Sequence, residues 1–160
     1  MTAESKTVDV SLPSDTEILI TRWFRASMEV IYRAWTTPDL VRRWWGGGRG
    51  TVSVEMDFRV GGRWRYVLVA DDGSQFAFTG VYREIVPWQR IVYTEIFEDE
   101  PDAEAQTTVT FATADGGTRL AILVAYRSRE ERDAHRHYMT DGLEEALDLL
   151  QRIAATELER

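Results

Sequence analysis

After residue 128 the apolar period of the chain changes, once. Up to that point apolar and polar residues alternate in a series of short runs, the two-residue period of strands. Ser128-x-x-Glu131 then matches a capping box. Met139, Leu143, Ala146, Leu147, Leu150, Ile153 and Ala154 follow on a helical stripe, with charged residues on the opposite face. The pattern predicts a long helix over roughly 129–156. A strongly curved sheet cannot bury its concave face alone, and this helix is the only element long enough to cover it. Where the helix does not fill the concavity, an apolar pocket remains.

The strands that need this cover can be read one by one. In 16–24, Ile18, Ile20, Arg22 and Phe24 share a face. Ser27 is an N-cap for a short helix through MEVIYRAW, and Thr37 caps a second one with Pro38 at its first position. The glycines of 46–50 stop it. Strand signals resume at 51–58, with Val52, Val54, Met56 and Phe58 on one side. They continue at 63–70, 75–86, 90–97, 107–113 and 118–126, separated by Gly61-Gly62, Asp71-Asp72-Gly73, Pro87 and Asp115-Gly116-Gly117. Gly80 in the middle of 75–86 marks a bulge or a close backbone approach. The expectation is an α+β fold. A curved antiparallel sheet of about six to seven strands surrounds a long C-terminal helix, with two short helices after the first strand. Residues 1–14 read as a flexible leader and 15–160 as a single domain.

Composition narrows the function. The net charge of -8 argues against a nucleic-acid or anionic-membrane partner. The chain has no cysteine, which excludes disulfides and thiolate metal sites. No apolar run approaches the ~20 residues of a membrane-spanning helix, and no signal peptide is visible, so the expected compartment is the cytoplasm. His135 and His137 are two apart and do not share a helix face. His137 and Asp141 lack a third ligand, so no metal and no cofactor is expected. There is no G-x-S-x-G elbow and no nucleophile–base pair. Exposed rings at Trp23, Trp45 or Trp88 leave a homodimer open.

Six Trp, six Tyr and six Phe supply large apolar rings. Trp44, Trp64, Tyr66, Phe76 and Phe78, with Met139 and Leu143 of the long helix, are candidate lining residues of a ligand cavity; core packing explains the same pattern. Arg22, Tyr93 and Glu95 are polar groups on strand faces that otherwise carry large apolar side chains. They read either as polar anchors for a ligand's carboxylate or carbonyl, or as a structural ion pair. Arg22 and Glu95 are also the only catalytic candidates.

The segments ITRWFRAS (20–27), AWTTPDLVRRWWG (34–46), EMDFRVGGRWRY (55–66), FTGVYREIVPWQRIVYTE (78–95) and TVTFATADGGTRL (108–120) follow one another at a characteristic spacing. Together they resemble the activator-of-Hsp90-ATPase-homologue-1-like family, of the START/Bet v 1-like (SRPBCC) superfamily, over 16–155. Departures fall at Ala26-Ser27, Gly47-Gly48-Arg49 and Gly142-Leu143. The resemblance implies a helix-grip fold and a hydrophobic cavity for lipids, sterols, polyketides or similar molecules. Three functions follow as expectations. The first is binding of a small hydrophobic or amphipathic ligand in a cavity of a few hundred Å³. The second is a cyclase or hydrolase on a polyketide-like substrate, with Arg22 polarising a carbonyl and Glu95 as acid or base. The third is a co-chaperone that stimulates an Hsp90-type ATPase, with the chaperone as partner.

Overall fold

The computed structural model describes residues 8–47 and 51–158, with side chains throughout except at 137–141 and 157–158. Its elements in order are β1 (Asp9–Ser11), β2 (Glu17–Phe24), α1 (Met28–Thr36), α2 (Pro38–Trp44), β3 (Thr51–Met56), β4 (Arg63–Val69), β5 (Gln75–Val86), β6 (Arg90–Phe97), β7 (Ala105–Ala114), β8 (Gly117–Ala125) and α3 (Arg129–Ile153). A wider last turn, Ala154–Leu158, extends α3.

All eight strands join one antiparallel sheet, in the order β1-β2-β8-β7-β6-β5-β4-β3. One strand more than expected is present because Asp9–Ser11, inside the stretch read as a leader, pairs with Leu19–Thr21 along the sheet edge. The β7–β8 turn is the tightest: Asp115 and Gly116 both take positive φ, 50° and 79°, in a two-residue hairpin that follows the strand twist. Because β3 is one edge of the sheet and β2 is the strand next to the other, α1 and α2 must carry the chain across its concave face. α1 packs on β7 and β8, and α2 packs on β3 and α3.

The helices start where their capping chemistry places them. Ser27 Oγ accepts from Val30 N at 3.2 Å, and Ser128 Oγ from Glu131 N at 3.1 Å. Thr37 differs from expectation. Its hydroxyl makes no cap bond, and its carbonyl alone accepts from Leu40 N and Val41 N. The described part of the α3 stripe is the core seam: Ala146, Leu147, Leu150, Ile153 and Ala154 are buried, and Leu143 is half-buried. Each fully buried leucine there is worth about 1.5–3 kcal/mol. Against them stand Ile18, Ile20 and Phe24 of β2, and Leu120, Ile122 and Val124 of β8.

Irregularities at two strands reset the alternation. Pairing of β3 with β4 shifts between Thr51 and Ser53, which puts Thr51 inside and leaves Val52 exposed, against the expected inward Val52. In β5 the shift lies between Tyr82 and Glu84. Gly80, two residues earlier, is a site of close approach. A Cβ added there would overlap the Thr94 carbonyl oxygen and lie 2.5 Å from Trp64 Nε1.

Candidate functional site

The concave ends of β4, β5 and β6 carry the aromatic residues inward. Registers of Trp64↔Gly80 and Tyr66↔Phe78 align β4 with β5, and Tyr82↔Tyr93 aligns β5 with β6. Opposite this wall, α1 and α2 supply Trp35 and Trp45. The result is a cleft lined by Trp35, Trp45, Phe58, Trp64, Tyr66, Tyr82, Ile91 and Tyr93. Its rings meet edge to face or tilted: Trp64 on Tyr66 at 4.7 Å, Trp64 on Tyr93 at 5.5 Å, and Trp45 on Tyr66 at 4.9 Å. The cleft holds about 320 Å³ of empty space counted out to its mouth, but the rings leave room for only about one water molecule inside.

Few polar atoms interrupt the rings. The hydroxyls of Tyr66 and Tyr82 bond each other, and the Tyr93 hydroxyl bonds the Trp35 side chain. Burial pushes all three phenols above their ordinary range. Trp64 is 2% exposed and its Nε1 has no acceptor among the described residues. Glu95 follows Tyr93 on the same face of β6, and no hydrogen-bond donor among the described residues reaches its carboxyl. Burial raises that carboxyl from 4.5 to about 7, while the charge of His135 on α3 pulls it down. His135 itself is held by the Glu131 carbonyl (Nδ1, 2.7 Å) and Glu100 (Nε2, 2.9 Å) and stacks on Tyr126.

Of the residues expected from sequence, Trp64, Tyr66 and Tyr93 line the cleft. Phe78 meets Trp45 at 5.3 Å on its rim, and Phe76 packs behind Phe78 and Phe97. Trp44 is fully buried elsewhere, 4.6 Å from Trp35, with its Nε1 donating to the Ala34 carbonyl. Leu143 packs against the core from α3, and the side chain of Met139 lies outside the described residues, as do those of His137 and Asp141. Among the described residues no group of three His, Asp or Glu is placed to hold a metal ion.

Arg22 is not part of the cleft. It is 4% exposed, its Nη1 donates to Asp148 Oδ1 of α3 at 2.5 Å, and its guanidinium lies 5.0 Å from the Phe24 ring centre. Register separates it from Glu95. Arg22 aligns with Leu120 and Phe111, whereas Glu95 pairs with Ala105, beside the row of Gln106, Ala125 and Glu17. Strands β8 and β7 also lie between them. The offset is about 14 Å across the strands and about 20 Å along them. The helix gives the same answer. Asp148, which holds Arg22, and His135, which acts on Glu95, are about 20 Å apart along α3. One small molecule cannot be held by both Arg22 and Glu95.

Five lining residues were not among the sequence candidates: Trp35, Trp45, Phe58, Tyr82 and Ile91. Parity carried a signal for three of them. Tyr82 shares its parity with Phe78, Ile91 with Tyr93, and Phe58 with Met56. For Trp35 and Trp45 the helix period could not say which sheet residues they would face.

Comparisons with known proteins agree with this architecture. A protein of Rhodobacter sphaeroides is 26% identical, with 94% of this chain and 99% of that one aligned at a TM-score of 0.86. One from Chromobacterium violaceum is 28% identical, over 88% and 99%, at 0.74. An AHSA1-like protein from Aeromonas hydrophila is 26% identical, over 90% and 96%, at 0.71. No curated protein matches the chain. The family model described as activator of Hsp90 ATPase homolog 1-like protein matches residues 25–155, from the entry to α1 through the end of α3. With the sheet wrapped around that helix in helix-grip fashion, the chain belongs to the activator of Hsp90 ATPase homolog 1-like family.

Proposed function

We propose that the chain binds a small hydrophobic or amphipathic molecule between the sheet and its helices. The observation that carries this reading is the aromatic cleft with Glu95 beside it, a carboxyl that burial raises to about 7 and that no donor among the described residues reaches. An apolar wall with a few convergent polar groups is what a ligand site of this kind needs. Because the rings nearly fill the cleft, a ligand enters by displacing one. Trp45 is the ring to move. It is only half-buried, it sits at the end of α2 against Tyr66 and Phe78, and Gly46-Gly47 follow it.

Native mass spectrometry of the protein purified from its own host tests this, with the released compound identified after denaturation. A stoichiometric small molecule is expected. A bare chain that also fails to bind 1-anilinonaphthalene-8-sulfonate and a panel of two- and three-ring hydrophobes would overturn the reading.

A second reading gains from the same carboxyl. A group that titrates near neutrality can serve as a general acid or base. In that case Glu95 acts without Arg22, which is engaged by Asp148. The family's description adds stimulation of an Hsp90-type ATPase as a third reading. An unchanged chaperone ATPase rate in the presence of the protein counts against it.

A further inference from the structure

One wall of the cleft holds a buried donor with no acceptor among the described residues, and a half-buried carboxyl lies beside it. In β4–β5 register, Trp64 faces Gly80. Continuing the β5–β6 pairs Phe78↔Phe97 and Thr79↔Ile96 brings Gly80 opposite Glu95. Trp64 and Glu95 thus flank one glycine, two strand spacings apart, about 10 Å between Cα atoms. Gly80 has no side chain to separate them. Its Cβ position is taken by the edge of the Trp64 indole, with Nε1 at 2.5 Å, and by the Thr94 carbonyl, the peptide that leads into Glu95. The indole N–H is buried and has no acceptor among the described residues. No donor among the described residues reaches the half-buried Glu95 carboxyl, and its charge acts on both Tyr66 and Tyr93, which places it beside the same aromatic wall.

We propose that the wall beside Gly80 recognises a hydroxyl group on the ligand, which accepts from Trp64 Nε1 and donates to Glu95. This rests on the ligand-binding reading above and names its chemical class: a ring-rich hydrophobe bearing an alcohol or phenol. A hydroxyl is the smallest group that is donor and acceptor at once, so one atom serves both the indole N–H and the carboxyl. A ketone or ether would satisfy the indole and leave the carboxylate without a donor. An organic anion would meet Glu95 as a like charge. The other hydroxyls of the cleft belong to Tyr66, Tyr82 and Tyr93 and are already bonded within the wall.

The test compares 2-naphthol with 2-methylnaphthalene, which has the same shape without the hydroxyl, by calorimetric or fluorescence titration. The wild-type protein is expected to bind the naphthol at least about tenfold more tightly, the effect of leaving buried polar partners unpaired. In Glu95→Leu and in Trp64→Phe the preference, taken as the ratio of the two affinities in the same protein, falls below about threefold, whatever each change does to the affinity for 2-methylnaphthalene itself. Glu95→Leu keeps the test open if Trp64→Phe fails to fold. Equal binding of the two compounds by the wild type would overturn the hydroxyl site, because resident water would then satisfy both groups, and would leave hydrophobic binding standing. A preference that survives in both variants also overturns it. If neither compound binds, the ligand-binding reading fails, and the hydroxyl site with it.

Discussion

Asp148 closes an ion pair on Arg22 across the interface of α3 with β2, and the two partners are unequally buried, with 47% and 3% of their side chains exposed. The arginine is locked inside, while the aspartate sits at the rim. This is a device for seating the helix on the sheet, placed far from the cleft.

Removing the rim partner strands the buried one. Asp148→Ala is expected to destabilise the fold by about 1–3 kcal/mol, since a buried guanidinium loses its acceptor while one side stays near water. Arg22→Met, which removes the charge as well, should cost less. Urea denaturation of both variants checks the order. Affinity for a cleft ligand should not change in either.

Glu95 gives the protein a pH dependence of known sign. Its folded value is raised above the ordinary 4.5 to about 7, so between those values the folded state holds a proton that the unfolded state has lost. Stability therefore falls as pH rises from about 4.5 to about 7, and the contribution is absent above that range. Its upper bound is about 3 kcal/mol. Denaturation at pH 5 and at pH 8 should show this loss in the wild type and not in Glu95→Gln. An identical pH slope in the two proteins would show that the carboxyl is solvated.

Two glycines should respond oppositely to a methyl group. Gly80→Ala drives a Cβ into the Thr94 carbonyl, which is backbone and cannot turn aside, and should cost at least about 3 kcal/mol or prevent folding. Gly142→Ala meets nothing within 4 Å inside α3 and should stabilise by about 0.5–1 kcal/mol. Thermal midpoints are expected to move down for the first and up by about 2–4 °C for the second.

Trp45 governs entry to the cleft. Trp45→Ala removes the ring that rests on Tyr66 and Phe78, so 1-anilinonaphthalene-8-sulfonate should associate several-fold faster in stopped-flow fluorescence. A wild-type rate in the variant would mean that ligands enter by another route. Because buried contacts are lost, a moderate fall in stability should accompany the faster entry.

Local chemistry made the element order legible. The Asp115-Gly116 turn needs two positive φ values, and Asp-Gly is a pair that accepts them. Ser128 names the start of α3 because its hydroxyl can serve an unpaired N–H. Parity put Trp64, Tyr66 and Tyr93 on inward faces, and all three are buried. It failed at Val52, the extra residue of β3, which stands outside while Val54, Met56 and Phe58 keep the expected inward face.

What the sequence by itself determined is therefore the set of elements and most of their inward faces, since these depend on residues within a few positions of one another. Tertiary structure decided which inward residues meet. Arg22 and Glu95 look equivalent along their strands, each an inward polar group among apolar neighbours. Strand order places β8 and β7 between them, and register sets them at opposite ends of the sheet. Asp148 then claims one, and the other is left in an aromatic wall beside Gly80. Those relations join residues dozens of positions apart. They follow from strand pairing and from the path of α3 across the sheet, which no local period encodes.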